Sequence, residues 1–120
     1  MSDQQLSDAK RWLRERRSQR IEWNVPVVLH TPSSERLQFS ERTQTLVINA
    51  HGALVALAQR VAPKQRLLIQ NTASGEQREC RVVYVDKQLA GPTKVAVEFT
   101  RPASSFWRIA YPPADWTAKP

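Results

Sequence analysis

Residues 45–57, TLVINAHGALVAL, constrain the fold of this chain more than any other stretch. Two short apolar runs, 46–48 and 53–55, lie on either side of the sequence Asn-Ala-His-Gly. Short runs rich in β-branched residues and separated by Asn and Gly are typical of two strands joined by a tight connection. Gly52 allows a positive φ or a close approach of the backbone, and the Asn49 side chain can bond to nearby backbone. The stretch therefore predicts a strand, a turn at Asn49 and Gly52, and a second strand.

A clear alternation of apolar and polar residues precedes this element, over residues 21–29. A repeat of two residues is the period of a half-buried strand. Pro26 has no backbone N–H, so this strand is expected to lie at a sheet edge or to leave one side unpaired there. The residues predicted to face the core are Ile21, Trp23, Val25, Val27 and Leu29.

The chain up to residue 100 is predicted to continue as short strands separated by turn residues, with a hairpin loop at 71–75. No helical period occurs among these segments. Many short strands with turns at short intervals predict an antiparallel barrel or sandwich. The predicted strands after the first span residues 39–48, 53–57, 65–70, 76–85 and 94–99.

Two short helices are predicted outside the strands, one at each end of the chain. Ser7 can cap a helix over residues 7–17, which continues into a basic arm. A second short helix is predicted to start at Ser104 or Ser105 and to end at Ala110, before two prolines. Its aromatic residues are expected to form a hydrophobic plug on the barrel: Phe106, Trp107, Tyr111 and Trp116. The predicted organisation is a helix and arm at 1–20, a barrel at 21–100, and a helix and tail at 101–120.

The composition indicates a globular protein with one domain. The 120 residues are 41% hydrophobic and 24% charged, which suits one modest core. No apolar run approaches the ~20 residues needed to span a bilayer, and residues 1–12 lack a signal-peptide core. The single cysteine, Cys80, excludes an internal disulfide and is expected to pack on a strand. We therefore expect a cytoplasmic protein without a transmembrane segment.

Catalytic and metal-binding motifs are absent from the sequence. His30 and His51 have no partners at metal-ligand spacing, and no nucleophile elbow, phosphate-binding lysine loop or dinucleotide-binding glycine motif is present. The eleven acidic residues are scattered among basic neighbours. We therefore expect a binding protein that is not an enzyme and that holds neither a metal nor a cofactor.

Positive charge is concentrated near the N-terminus. The formal net charge is +7, and six of the eighteen Lys and Arg residues lie within residues 10–20. Excess positive charge favours phosphate-bearing partners. Arg16 and Arg20 are spaced as RxxxR directly before the first strand, with Arg17 beside them. Because guanidinium groups bind phosphate oxygens and guanine O6 and N7 in pairs, this spacing suits a ligand with guanines and phosphates.

An RxxxR pair before a strand, followed by a strand–glycine–strand element, resembles the PilZ domain, a small bacterial β-barrel. The resemblance covers roughly residues 16–100 and implies a mainly β fold with a six-stranded antiparallel barrel. Many PilZ domains bind the second messenger cyclic di-GMP through the RxxxR arginines and a second motif, [D/N]xSxxG. The ligand-binding residues that the resemblance implies are Arg16, Arg17, Arg20, Asn49, His51 and Gly52.

The second motif departs from the PilZ pattern. With Gly52 as the motif glycine, Val47 stands at the Asp/Asn position and Asn49 at the Ser position. Asn49 can donate and accept hydrogen bonds, whereas the Val47 side chain can do neither. A lost hydrogen bond of this kind is worth ~0.5–1.5 kcal/mol, or ~1.5–3 kcal/mol with a charged group, so weakened binding of cyclic di-GMP is expected.

The sequence leaves three functions open. The favoured one is a cyclic di-GMP-binding effector that relays binding to an unidentified protein partner. The second, suggested by Val47 and Asn49, is a PilZ-like barrel that has lost the nucleotide and acts as a protein-interaction module. The third is nonspecific binding of nucleic acid, which fits the charge but not the tryptophans, since these are expected to lie mostly in the core.

Overall fold

Six antiparallel strands form a closed barrel in the part of the chain that the structure describes. The structure is a computed structural model and describes residues 20–87, 91–101, 103 and 105–109. Around the barrel the strands follow the order β1-β2-β3-β6-β5-β4. Their bounds are β1 Pro26–His30, β2 Ser40–Asn49, β3 Gly52–Leu57, β4 Arg66–Asn71, β5 Gln77–Asp86 and β6 Thr93–Phe99. The predicted mainly β, six-stranded antiparallel barrel is confirmed, and the helix predicted at 7–17 lies outside the described residues.

Alternate residues of the strands fill the barrel interior. Closure pairs the strands on both sides, so the inward side chains share one core. Burying an aliphatic side chain of this size contributes about 1.5–3 kcal/mol relative to leaving it exposed. The largest fully buried apolar side chains from the strands are Val27, Leu29, Ile48, Val55, Leu57, Leu67, Ile69, Val82, Val95 and Val97.

The first strand is shorter than predicted and does not lie at a sheet edge. β1 begins at Pro26 rather than at residue 21, and it pairs with β2 on one side and β4 on the other. Proline is tolerated at the first position of a strand. The Pro26 carbonyl still accepts a hydrogen bond from Thr72 N (3.2 Å). The predicted edge position is therefore wrong, because closure of the barrel removes the edge.

The segment before β1 follows β2 without forming a continuous strand. Ile21 and Ile48 exchange two backbone hydrogen bonds of 2.8 Å. Further along, Thr45 N donates to Val25 O (3.0 Å). Between the Ile21–Ile48 and Val25–Thr45 contacts, the segment before β1 has three residues whereas β2 has two. The segment before β1 therefore bulges outward. The Trp23 side chain is consequently 53% exposed, which corrects the prediction that it faces the core.

The other strands begin and end within one residue of their predicted bounds. The hairpin loop predicted after β4 is also confirmed. Gly75 adopts a φ of +78° and donates its N–H to Asn71 O (2.8 Å). Asn71 Oδ1 accepts a hydrogen bond from Ala73 N (3.0 Å), which closes the turn from its other side.

Two register shifts turn neighbouring side chains to the outside of the barrel. The pairing of β2 with β3 shifts between Thr45 and Val47, and that of β5 with β6 shifts between Val82 and Tyr84. Each bulge inserts one residue and re-aims the side chains beside it. The outward residues form a second apolar cluster, here named the outer cluster: Leu46, Val47, Leu54, Val83, Tyr84 and Ala96.

Aromatic residues that follow β6 close one end of the barrel. Phe106 and Trp107 are buried, and their ring centroids lie 4.9 Å apart in an edge-on arrangement. The Phe106 ring also contacts Phe99 edge-on, at 5.2 Å. Asn71 Nδ2 donates to Phe106 O (2.9 Å), which ties the segment to the end of β4. The predicted hydrophobic plug is confirmed for Phe106 and Trp107, whereas its other two aromatic residues lie outside the described residues.

The described part of the predicted C-terminal helix forms a turn. Phe106 N donates to Ala103 O (3.0 Å), and Arg108 N donates to Ser105 O (3.2 Å). Arg108 has a φ of 58°, which is incompatible with a continuing right-handed helix. None of the described residues belongs to a helix long and apolar enough to span a membrane.

Cys80 lies in the core, as predicted from the sequence. Burial raises the pKa of its thiol to about 12, and the nearby charge of Glu79 adds to this shift. Because the thiolate is the reactive form, the Cys80 side chain is chemically inert at neutral pH in the folded protein.

Replacing Phe106 by alanine tests whether the residues after β6 belong to the core. Phe106 is 0% exposed, so Phe106→Ala is expected to lower the free energy of unfolding by about 3–5 kcal/mol through lost burial and a new cavity. Leu37→Ala is the control, because Leu37 is 85% exposed and its loss should change stability by less than about 0.5 kcal/mol. Urea denaturation measures both values, and equal stability of the two variants would contradict the packing described here.

Candidate functional site

The turn between β2 and β3 is held by the side chain of Asn49. Its Oδ1 accepts hydrogen bonds from the backbone N–H groups of His51 (2.8 Å) and Gly52 (2.9 Å). Asn49 is buried, so these bonds fix the shape of the turn. The turn predicted from the sequence is confirmed. Because the side-chain oxygen is engaged within the turn, the predicted ligand role of Asn49 now rests on its amide nitrogen.

Gly52 is required by a close approach of two strands. It is the first residue of β3 and lies opposite Glu98 of β6. A Cβ at this position would lie 2.0 Å from Val97 O and 2.9 Å from Glu98 Cα. The positive-φ residues among the described glycines are Gly75 and Gly91, not Gly52. Of the two reasons predicted for Gly52, the close approach is confirmed and the positive φ is wrong.

Phe99 of β6 and Trp107 of the aromatic plug support the same turn. Trp107 Nε1 donates to Asn49 O (2.8 Å) in a buried hydrogen bond. Phe99 N donates to His51 O (2.7 Å), and His51 itself is half-buried. The turn is therefore fixed from inside by Asn49 and from outside by residues of β6 and the aromatic plug.

Arg20 lies beside this turn. The next residue, Ile21, bridges Ile48, so the Arg20 backbone lies next to Asn49. Arg20 is half-buried. The structure thus brings one of the predicted arginines to the predicted turn. Arg16 and Arg17 lie outside the described residues, and their position stays a prediction.

Thr45 fixes the segment that carries Trp23. Thr45 Oγ1 donates to Trp23 O (2.6 Å) and accepts a hydrogen bond from Val25 N (2.8 Å). Asn24 Nδ2 donates to Thr45 O (2.7 Å). Thr45 is fully buried, and hydrogen bonds shielded from water are electrostatically stronger than exposed ones. The backbone of Trp23 is therefore held in place although its side chain points into solvent.

A groove of about 660 Å³ lies on the outside of the barrel between this segment and β3. Its volume falls within the range of small-ligand sites. Its floor is part of the outer cluster, so Val47 is half-buried on the surface rather than in the core. The residues that line the groove are Glu22, Trp23, Asn24, Leu46, Val47, Leu54 and Lys94.

The groove carries both signs of charge on an apolar floor. Glu22 and Lys94 are exposed at its sides. Tyr84 belongs to the outer cluster, which also supplies the floor of the groove. Burial raises the pKa of the Tyr84 hydroxyl, and the charge of Asp86 raises it further. Within the described ranges no group of three or more His, Cys, Asp or Glu side chains could hold a metal ion. The arrangement suits a ligand with a planar apolar part and polar edges.

None of the seven groove residues is among the ligand-binding residues predicted from the sequence, although Val47 occupies a position of the second motif. Trp23 was placed in the core because it falls in phase with the alternation of residues 21–29. Glu22 is a polar position of the first predicted strand, and Lys94 is the first residue of the predicted strand 94–99. The regular strand begins only at Pro26, so the alternation before it, which includes Trp23 and Asn24, does not correspond to a strand.

Comparison with solved structures identifies a similar fold. The chain is similar to the Bacillus subtilis inhibitor of motility (MotI/DgrA), with a TM-score of 0.57 and 17% sequence identity. The match covers 79% of this chain and 46% of that one, so this chain spans less than half of that protein's length. At this identity the likeness concerns the fold alone, a closed six-stranded antiparallel barrel. No protein-family model matches the chain, and no curated protein matches it.

The substitution Gly52→Ala tests whether glycine is required at this position by a close approach of the backbone rather than by a positive φ. A methyl group at this position meets the backbone of β6, so we expect the free energy of unfolding to fall by roughly 3 kcal/mol, at the upper end of overpacking costs. Gly75→Ala is the control, because it has a positive φ but nothing within 4 Å of an added Cβ. It should cost about 1–2 kcal/mol through backbone strain alone. A larger loss in Gly75→Ala than in Gly52→Ala, measured by thermal or urea denaturation, would contradict the close approach.

The substitution Thr45→Val tests the attachment of the Trp23 segment. It leaves Trp23 O and Val25 N without their side-chain partner, at about 1–3 kcal/mol for each buried group. Thr45→Ser keeps the hydroxyl and should retain most of the stability. Urea denaturation of the two variants provides the measurement. If serine and valine destabilise equally, the hydroxyl does not hold the segment.

Proposed function

We propose that this chain is a PilZ-like binding domain that takes up cyclic di-GMP and relays the binding event to a protein partner. The observation that carries the proposal is that the Ile21–Ile48 bridge places Arg20 beside the turn at Asn49, while the next residues of the same segment, Glu22 and Trp23, line the groove. Arginine beside a fixed turn of backbone is a suitable arrangement for phosphate and guanine. The domain acts as a binding module and not as an enzyme.

The N-terminal arginines supply the charge that a dinucleotide requires. Cyclic di-GMP carries two phosphates, and the chain has a formal net charge of +7. The arm that contains Arg16 and Arg17 leads directly into Arg20 and the bridge at Ile21. Because charged hydrogen bonds are about twice as strong as neutral ones, these arginines provide most of the expected affinity.

Val47 sets the expected strength of binding. It is half-buried at the groove, so the absence of a polar group there removes a contact from the ligand-facing surface. The Asn49 oxygen is engaged within the turn and does not replace that contact. We therefore propose binding that is weaker than that of a PilZ domain with a complete second motif.

The similar structure supports a regulatory role. That protein is by name an inhibitor of motility. We extend this to the present chain as a proposal that the barrel changes its surface for a protein partner when the nucleotide binds. The turn and the aromatic plug are connected by the hydrogen bond from Trp107 Nε1 to Asn49 O, so a ligand beside the turn can affect the plug.

A second function is favoured by one specific observation. The floor of the groove is formed by Leu46, Val47 and Leu54, and this apolar surface also fits a hydrophobic side chain of another protein. In this alternative the barrel has lost the nucleotide and serves as a protein-interaction module. The two functions differ in whether Arg16 and Arg20 are needed for binding.

Titration calorimetry with cyclic di-GMP tests the proposed function. We expect saturable binding by the full chain, and a loss of roughly 10- to 150-fold in affinity for Arg16→Ala and for Arg20→Ala, the equivalent of ~1.5–3 kcal/mol per charged contact. Arg36→Ala is the matched control, since it removes the same charge from the loop between β1 and β2, away from the turn. Equal losses in all three variants would indicate nonspecific charge attraction, and absence of binding would favour the protein-interaction module.

The variant Val47→Asn asks whether the missing motif contact can be restored. Val47 lies on the outer surface, so an amide at this position can reach solvent and ligand without being buried unpaired. We expect affinity to rise by roughly three- to tenfold, as one added hydrogen bond predicts. Val28→Asn, at a half-buried position on the outside of β1, is the control. A rise in both variants, or in neither, would contradict a ligand contact at residue 47.

A further inference from the structure

Trp23 differs from the other aromatic side chains that the structure describes. It is 53% exposed, whereas Phe39 is half-buried and Tyr84, Phe99, Phe106 and Trp107 are each less than 9% exposed. Large aromatic side chains contribute most to stability when they are buried. An exposed tryptophan on the wall of a groove therefore contributes little to folding and is available to a ligand.

The backbone at Trp23 is held in place by hydrogen bonds within the protein. Ile21 is held by two hydrogen bonds to Ile48, and the Trp23 carbonyl is held by Thr45 Oγ1 (2.6 Å). Val25 N is bonded to the same hydroxyl (2.8 Å). A side chain on a backbone fixed at both ends loses less conformational entropy on binding than one on a mobile loop.

Glu22 stands beside Trp23 on the same groove, and Lys94 approaches from β6. The groove therefore combines an aromatic face, a carboxylate and an ammonium group around an apolar floor. We propose that Trp23 and Glu22 form a guanine-reading subsite, in which the indole stacks on the base and the carboxylate contacts its hydrogen-bonding edge. This inference rests on the proposed function, because it names the part of the nucleotide site that recognises the base.

The chemistry of guanine matches these two side chains. Its N1–H and N2–H₂ groups are adjacent donors, and an ionised carboxylate has two acceptor oxygens and no donor. Adenine presents an acceptor at N1 in the same place, which a carboxylate repels. Stacking on an aromatic side chain is tolerant of the base, so Trp23 supplies affinity and Glu22 supplies the choice of guanine.

This subsite compensates in part for the departure at Val47. In the PilZ pattern an Asp or Asn would stand at position 47, on the floor of the groove. Here the carboxylate comes from Glu22, on the wall formed by the segment before β1. Val47 then contributes apolar surface under the base, and Lys94 provides a cation for a phosphate.

Binding of cyclic di-GMP and cyclic di-AMP to the full chain tests the subsite. We expect Trp23→Leu, which keeps an apolar side chain but removes the aromatic face, to weaken binding of cyclic di-GMP by roughly 5- to 150-fold. Trp23→Phe keeps an aromatic face and should bind within about fivefold of the wild type. Ligand-induced quenching of tryptophan fluorescence should be smaller in Trp23→Phe than in the wild type, since the reporting indole is removed.

The base preference is tested with Glu22→Gln. We expect the wild type to prefer cyclic di-GMP over cyclic di-AMP, and Glu22→Gln to reduce that preference roughly tenfold or more, because an amide has only one acceptor oxygen. Glu35→Gln, the same change in the loop between β1 and β2, should leave the preference unchanged. Both glutamates are exposed, so all variants are expected to fold, as a thermal melt verifies.

The outcomes separate the subsite from the proposed function. If the wild type binds cyclic di-GMP and requires Arg20, but Trp23→Leu and Glu22→Gln bind like the wild type, the subsite is refuted and the proposed function stands. If the wild type does not bind cyclic di-GMP, the proposed function fails and the subsite fails with it. Loss of affinity in Trp23→Leu with an unchanged base preference in Glu22→Gln would overturn the role of Glu22.

Discussion

Closure of the sheet is the constraint on which the rest of this structure depends. β1 pairs with both β2 and β4, so the chain has a common interior and no free sheet edge among the described strands. A barrel of six strands is narrow, and its strands must approach closely where they cross the end of the core. Gly52 permits this close approach, because the backbone of β6 occupies the space that a Cβ on residue 52 would need. The same curvature accompanies the two bulges that turn Leu46, Val83 and their neighbours outward.

The candidate site is a consequence of these bulges. At Thr45 the register of β2 changes, and the segment before β1 carries one residue more than the stretch of β2 it follows. The buried hydroxyl of Thr45 stabilises this mismatch by bonding to backbone on both sides of Asn24. The result is a groove between Trp23 and the outer cluster. An irregularity in strand pairing has thus produced a surface that a regular barrel would lack.

The turn at Asn49 is joined to the aromatic plug by a buried hydrogen bond. Asn49 bonds to its own turn through the side chain and to Trp107 through its carbonyl. Phe106 next to it is bonded to Asn71 at the end of β4. A ligand that contacts Arg20 and this turn would therefore meet the elements that close one end of the barrel. This connection is the physical route by which binding at the turn would reach the aromatic plug in the proposed function.

The strand pattern, the turn at Asn49 and Gly52, and the burial of Cys80 and Phe106 could be predicted from the amino-acid sequence. These features follow from local alternation, turn chemistry and hydrophobicity, which neighbouring residues largely fix. The sequence also indicated a nucleotide site near Arg20, through a resemblance whose second motif is incomplete at Val47. The folded chain is needed to show that Pro26 lies within a closed barrel, that Gly52 permits a strand–strand approach rather than a positive φ, and that Trp23 faces solvent. Each of these depends on residues far away in the chain: β4 for Pro26, Val97 for Gly52 and Thr45 for Trp23. Alternation along one strand cannot reveal a bulge, because a bulge is defined by the count of residues on two strands.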